Sequence, residues 1–237
     1  MTRKERAEKI FDWFAKNQPE VNTELEFYDP FELLVAVILS AQCTDQRVNL
    51  TTPALFRRFP DARALARSSE EEVFPFIKSI SYPNSKAKHL VGMARMLVEN
   101  YGGKVPETVE ELKKLPGVGQ KTANVVVSVA FGTPSMPVDT HVFRVAARTG
   151  LSRNARNPAQ TERQLVEIIP RERLSDAHHW LILHGRYICV ARKPKCGECG
   201  IRDYCRYFEN LLKQEQKAAK KKAEIKDPLK TKRNRTS

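Results

Sequence analysis

Four cysteines stand close together late in the chain, Cys189, Cys196, Cys199 and Cys205, spaced C-x6-C-x2-C-x5-C. Four thiols within seventeen residues are a metal site more readily than a pair of disulfides. A zinc ion held by four thiolates is the commoner use of such a set. Zinc ribbons, however, bring two close pairs, whereas this spacing has one and is asymmetric. That pattern suits a [4Fe–4S] cluster, each iron of which takes one thiolate. Arg186, Arg192, Lys193, Lys195, Arg202 and Arg206 surround the ligands. They read either as a solvated surface or as a face turned to phosphates. The fifth cysteine, Cys43, is solitary.

A second chemical feature lies upstream. Leu115-Pro116-Gly117-Val118-Gly119 is followed directly by Gln120 and Lys121. Two glycines around one apolar residue permit positive φ and close approach to the backbone. If a helix starts near Gln120, its first N–H groups lack partners and point outward, as an anion site requires. The same turn also serves as an ordinary corner between helices. Further on, Pro137-Val138-Asp139 reads as an extended segment with Asp139 capping a helix over 140–149.

These residues must be positioned by helices. Asp29-Pro30-Phe31-Glu32, Ser69 to Glu72, Thr108 to Glu111 and Asn157 to Gln160 all carry start signals of helices. Between them apolar residues recur every three or four positions, as in Leu90, Met93, Ala94, Leu97 and Val98. No sustained strand-type alternation and no fixed repeat are found. Ten or eleven helices on short connections are expected, an all-α fold.

The 237 residues carry 41 Lys and Arg against 28 Asp and Glu, a net charge of +13. Residues 211–237 hold ten basic and three acidic residues, +7, which leaves the rest of the chain at +6. The field favours a polyanionic partner, nucleic acid ahead of an anionic membrane surface. The longest apolar run, Leu33 to Leu39, is far short of the roughly 20 residues that cross a bilayer. No export signal and no membrane insertion are expected. Residues 211–223 can extend a helix. From residue 224 onward there is almost nothing apolar, so 210–237 is expected to be a basic, disordered tail.

From about Phe31 to Cys205 the chain resembles the endonuclease III family, bifunctional enzymes of the helix–hairpin–helix DNA glycosylase superfamily. The motifs that carry the resemblance are Leu39-Ser-Ala-Gln-Cys-Thr-Asp45, Asn84-Ser-Lys-Ala87, the glycine hairpin with Lys121, Val138-Asp-Thr-His-Val142, His179-Trp-Leu-Ile-Leu-His-Gly-Arg-Tyr187 and the four cysteines. Their ordered co-occurrence is highly specific.

The resemblance implies roles. Lys121 falls at the catalytic lysine, which must be neutral to attack a sugar carbon and is expected to be buried in a cleft. Asp139 falls at the catalytic aspartate, ionised to favour a cationic sugar or to take the lysine proton. His141 reads as structural. The hairpin, Leu115 to Gly119, would bind DNA, and the four cysteines would hold a [4Fe–4S] cluster. Gln42 would fill the gap left by an extruded nucleotide. The loop Ser81-Tyr82-Pro83 stands where the family pattern has Gly-Leu-Tyr, so Tyr82 would serve as the wedge.

Two α-domains flanking a DNA-binding cleft are expected. One is a six-helix domain over 23–133, and the other joins 1–22 to 134–209. The expected activity is removal of oxidised pyrimidines from duplex DNA through a lysine Schiff base, with β-elimination at abasic sites. The enzyme should act as a monomer in the cytoplasm, at the nucleoid. Two alternatives stand beside it. An adenine-mismatch glycosylase of the same superfamily would lack Lys121 and add a C-terminal domain. A non-catalytic DNA-binding module would have the metal site without the chemistry.

Overall fold

The computed structural model describes residues 1–226. Their regular structure is helical throughout: α1 (Arg3–Asn17), α2 (Pro30–Ser40), α3 (Asp45–Arg58), α4 (Ala62–Ala66), α5 (Glu70–Ile77), α6 (Pro83–Tyr101), α7 (Val109–Leu112), α8 (Gln120–Phe131), α9 (Thr140–Thr149), α10 (Pro158–Val166), α11 (Leu174–Tyr187) and α12 (Arg206–Lys226). Three single 3-10 turns lie at Arg171–Arg173, Cys196–Glu198 and Arg202–Tyr204.

The start signals act as read. Asp29 accepts from the Glu32 N–H, Thr108 from that of Glu111 and Asn157 from that of Gln160. Ser69 and Glu72 close a reciprocal capping box. Each satisfies an N–H group that the helix itself leaves without a partner.

The described chain divides into two compact units. One comprises Glu20–Asp139 with Pro170–Trp180; the other comprises Met1–Pro19, Thr140–Ile169 and the chain from Leu181 onward. The first holds seven α-helices where six were expected. Asp61, accepting from the Ala64 N–H, caps the one-turn α4 as an element of its own. Residues 134–139 and 170–180, expected with the cysteine-bearing domain, group with the hairpin instead. Met136, Pro137 and Val138 are buried, and Ser175 on the early part of α11 lies 2.8 Å, Oγ to Oγ, from Ser128 of α8.

The hairpin unit is built around α2. Phe31 and Leu33 through Leu39 are all buried, as a helix apolar on every side must be. Helices α3, α6 and α8 pack around it. In the other unit Ile10, Phe11 and Phe14 of α1 and Val142, Val145 and Ala146 of α9 are fully or almost fully buried. The buried Arg6 guanidinium donates to the Tyr204 carbonyl, pinning α1 to the turn that ends in Cys205. Helix α12 corrects the expected disordered tail over 210–226. Its Ala, Lys, Glu and Gln residues are strong helix formers, and Lys213 pairs with Glu209 one turn away at 2.6 Å. Residues 227–237, the remainder of that expected tail, lie outside the described residues.

At Gly200 an added Cβ would fall 1.9 Å from Cζ2 of Trp13. The rigid indole leaves no room for a methyl group. Gly200→Ala should cost about 1–3 kcal/mol, the usual penalty for overpacking. Urea denaturation checks this, and an unchanged midpoint would mean that the ring moves aside freely.

Candidate active site

The hairpin is a tight turn between α7 and α8. Its apolar residues face inward: Leu115 and Val118 are 2 % and 8 % exposed. Their side chains therefore anchor the turn, and only its backbone and Pro116 are left to meet a ligand. The Val118 N–H donates to the Leu115 carbonyl at 3.1 Å. Gly117 adopts φ +79°, and a Cβ there would lie 2.8 Å from that of His89. Both the positive φ and the close approach of α6 require glycine. Gly119 caps α8 without a side chain. The N–H groups of Gly119, Gln120, Lys121 and Thr122 meet no acceptor among the described residues, while that of Ala123 closes on the Gly119 carbonyl at 3.0 Å. The outcome is a row of outward donors at a helix start.

Lys121 occupies the second position of α8 and is exposed. Burial was expected, whereas the Lys121 side chain is exposed. Asp139, half-buried, immediately precedes α9. Both lie in the hairpin unit, and both lie within electrostatic reach of His178.

His178 is a residue that the sequence did not single out. It is 3 % exposed, and its Nδ1 has no hydrogen-bond partner. The ring bonds to the backbone of Pro137. Proline offers only a carbonyl, so Nε2–H is the donor, and the neutral tautomer is fixed with Nδ1 as an unused acceptor. Burial, followed by the adjacent His179 ring, pushes its pKa down to about 3; Lys121 works in the same direction, and Asp139 and the Pro137 bond oppose it. No spacing or motif in the sequence distinguishes this histidine from one that merely packs in a helix interface. His141 keeps its structural reading, with Nδ1 3.3 Å from Arg144 Nη2 and Gly185 packed on its Cβ.

Gln42 and Tyr82 are both exposed, and both are non-glycine residues in the left-handed region, at φ 56° and 57°. Ser81 Oγ donates to the Gln42 carbonyl at 2.8 Å, so the structure brings the two loops together.

In the other unit the four cysteines line one cavity with Ile188, Ile201, Tyr207, Phe208 and His184. Among the described residues no three His, Cys, Asp or Glu side chains gather around the place of a single metal ion. Arg148 fixes the loop, donating to the carbonyls of Val190 at 2.7 Å and Ala191 at 2.8 Å, with Nη1 3.5 Å from Cys189 Sγ. Arg144 donates to the Cys189 carbonyl at 3.0 Å. His184 Nε2 lies 3.6 Å from Cys199 Sγ. Burial raises the pKa of Cys196, Cys199 and Cys205, that of Cys199 to about 11.

Residues 35–171 match the family of HhH-GPD superfamily base excision DNA repair proteins, and residues 189–205 match the iron–sulfur binding domain of endonuclease III. Endonuclease III of Rickettsia felis is 51 % identical over 204 residues, 86 % of this chain and 95 % of that protein. The chain belongs to the endonuclease III family. The Escherichia coli member is 47 % identical over 86 % of this chain and 96 % of its own. A solved structure of a trapped endonuclease III–DNA covalent intermediate superposes with a TM-score of 0.84 at 43 % identity, covering 90 % of this chain and 100 % of that one. A non-covalent endonuclease III–DNA complex gives 0.84 at 42 % identity, with the same coverage.

The protein is thus a DNA glycosylase and abasic-site lyase of base excision repair, and its cofactor is a [4Fe–4S] cluster. The cavity fits that group. Four soft sulfur donors line an otherwise largely apolar pocket, and a bound metal would offset the burial that favours the neutral thiol at Cys196, Cys199 and Cys205. No described helix is long and apolar enough to cross a membrane.

Two outcomes follow from this geometry. Cys199→Ala should abolish retention of about four irons per chain and lower the melting temperature; full iron content in the variant would remove Cys199 from the ligand set. For His178, the folded pKa lies below the ordinary 6.5, so below pH 6.5 the unfolded chain takes up a proton that the folded one refuses. Its contribution is complete above pH 6.5 and is lost as the pH falls towards 3. Urea midpoints at about pH 7 and pH 4.5 should converge in His178→Phe, by on the order of 2 kcal/mol relative to the parent.

Proposed function

We propose that the enzyme excises oxidised pyrimidines from duplex DNA with Lys121 as nucleophile, Asp139 as its ionised partner and Cys189, Cys196, Cys199 and Cys205 as the cluster ligands. The observation that carries this reading is the lysine's place. It stands in the first turn of α8, beside N–H donors without acceptors, in the unit that also holds Asp139. Phosphates held by those donors would present the adjoining sugar to the amine. The trapped covalent intermediate of a 43 % identical relative supports a covalent route.

In the proposed reaction the Lys121 amine attacks C1′ with its lone pair as the bond to the base breaks, and the base leaves with the electron pair of that bond and is protonated by solvent water. Asp139 favours the positive charge that develops on the sugar and takes a proton from the attacking nitrogen. Asp139 returns that proton to O4′ as the ring opens, which leaves the protonated imine. Loss of a C2′ proton then expels the 3′ phosphate by β-elimination, and water releases the unsaturated sugar and restores the amine. The cluster supplies structure to its loop, and no step passes through it. Gln42 and Tyr82 would enter the stack vacated by the extruded nucleotide. The hairpin, Lys121 and Asp139 come from one chain, which supports action as a monomer, and a DNA substrate supports a location in the cytoplasm, at the nucleoid.

Borohydride should trap protein on DNA that contains the lesion. Lys121→Gln should abolish both trapping and base release while duplex binding persists. Asp139→Asn should slow excision by roughly two to three orders of magnitude, the scale of one lost electrostatic contribution to a transition state. Trapping by Lys121→Gln would identify another amine as the nucleophile.

A further inference from the structure

Gln42 and Tyr82 are forty residues apart in the chain, yet they share a conformation that costs each of them roughly 1–3 kcal/mol. Neither is a glycine, and Tyr82 starts α6 without any side-chain cap. Such backbone persists only where its surroundings fix it. Two side chains fix it here. Ser81 Oγ donates to the Gln42 carbonyl at 2.8 Å. Lys86, only 5 % exposed, sends Nζ to the Leu39 carbonyl at 2.8 Å and the Ala41 carbonyl at 2.6 Å. Its own N–H meanwhile donates to the Tyr82 carbonyl at 3.1 Å. One residue thus holds the peptide just before Gln42 and the peptide of Tyr82 together. The Cys43 N–H closes the turn on the Ser40 carbonyl at 3.0 Å. Behind the second loop Arg47 Nη1 lies 3.5 Å from the Ser79 carbonyl, and Thr51 Oγ1 lies 3.4 Å from Ser79 Oγ.

Gln42 and Tyr82 themselves add no side chain to the core. Gln42 and Tyr82 are exposed, and Tyr82 leaves 65 % of its surface in solvent. The serine hydroxyl, together with the buried ammonium that also caps the end of α2, holds two strained, outward residues in register. We propose that Ser81 and Lys86 are positioning residues that bind Gln42 and Tyr82 into one preformed two-pronged element, which enters the gapped duplex as a unit and makes lesion recognition cooperative between the prongs. The ligand is a duplex with one vacated position opposite an orphaned base. This inference rests on the reading of Gln42 and Tyr82 as the residues that enter the stack. Preorganisation is the physical gain: ordering both loops before contact removes that cost from binding. A gap admits both prongs, whereas an intact stack admits neither, so the gain falls on lesion DNA alone.

The test is a mutant cycle on binding to two duplexes, one with a tetrahydrofuran abasic analogue and one undamaged. Gln42→Ala, Tyr82→Ala and the double variant are compared in the parent and in a Ser81→Ala background. In the parent the two losses should be strongly non-additive, each prong being of little use without the other. In Ser81→Ala the coupling should vanish. Ser81→Ala alone should weaken analogue binding about tenfold, leave undamaged binding and the melting temperature unchanged, and be rescued by Ser81→Thr. Lys86→Met should show the same loss of coupling where it folds; Ser81→Ala carries the test without it. Additive losses in the parent, or a Ser81→Ala protein that binds both duplexes like the parent, overturn the proposal. If Gln42→Ala and Tyr82→Ala have no effect even singly, the prior reading of these residues fails instead.

Discussion

The burial of α2 on every side sets the terms for the hairpin unit. A helix apolar over its whole circumference cannot end in the core, because its last carbonyls would be stranded there. Lys86 resolves this by taking the Leu39 and Ala41 carbonyls on a nearly buried ammonium. Burial lowers the lysine's pKa, yet the carbonyl end of the helix attracts positive charge and repays part of that cost. The chain then leaves the core at one fixed point, Gln42, facing outward.

The hairpin follows a related logic. Leu115 and Val118 spend their side chains on the core, so the turn has only backbone to offer. Backbone donors are well suited to a ligand whose sequence does not matter, because a phosphate is the same beside every base. Gly119 adds no side-chain oxygen that would satisfy those donors internally. On the proposed reading, phosphates held by these donors would deliver the sugar to Lys121 whatever the base beside it.

The cysteine loop is organised by arginine. Arg144 and Arg148, four residues apart on α9, donate to the carbonyls of residues 185 and 189–191. These bonds tie the loop that carries Cys189 to one face of α9. Arg144 and Arg148, which count towards the positive field in the sequence, are therefore structural, one reason that net charge is a weak guide to a binding face.

The sequence by itself determined what is local and chemically specific. Helix starts at Asp29, Ser69, Thr108 and Asn157 are written in a residue and its partner three positions on. The cysteine spacing, the glycine hairpin with Lys121, and Asp139 ahead of α9 identified the family. Tertiary packing decided the rest. That Lys121 is exposed, that His178 sits buried near Lys121 and Asp139, and that residues 134–139 and 170–180 group with the hairpin depend on which faces meet. Hydrophobic burial is not directional, so an apolar face in the sequence does not name its neighbour. The tie from Ser81 to Gln42 was equally hidden, since a serine's hydroxyl finds its acceptor thirty-nine residues away only after α2 and α6 have packed.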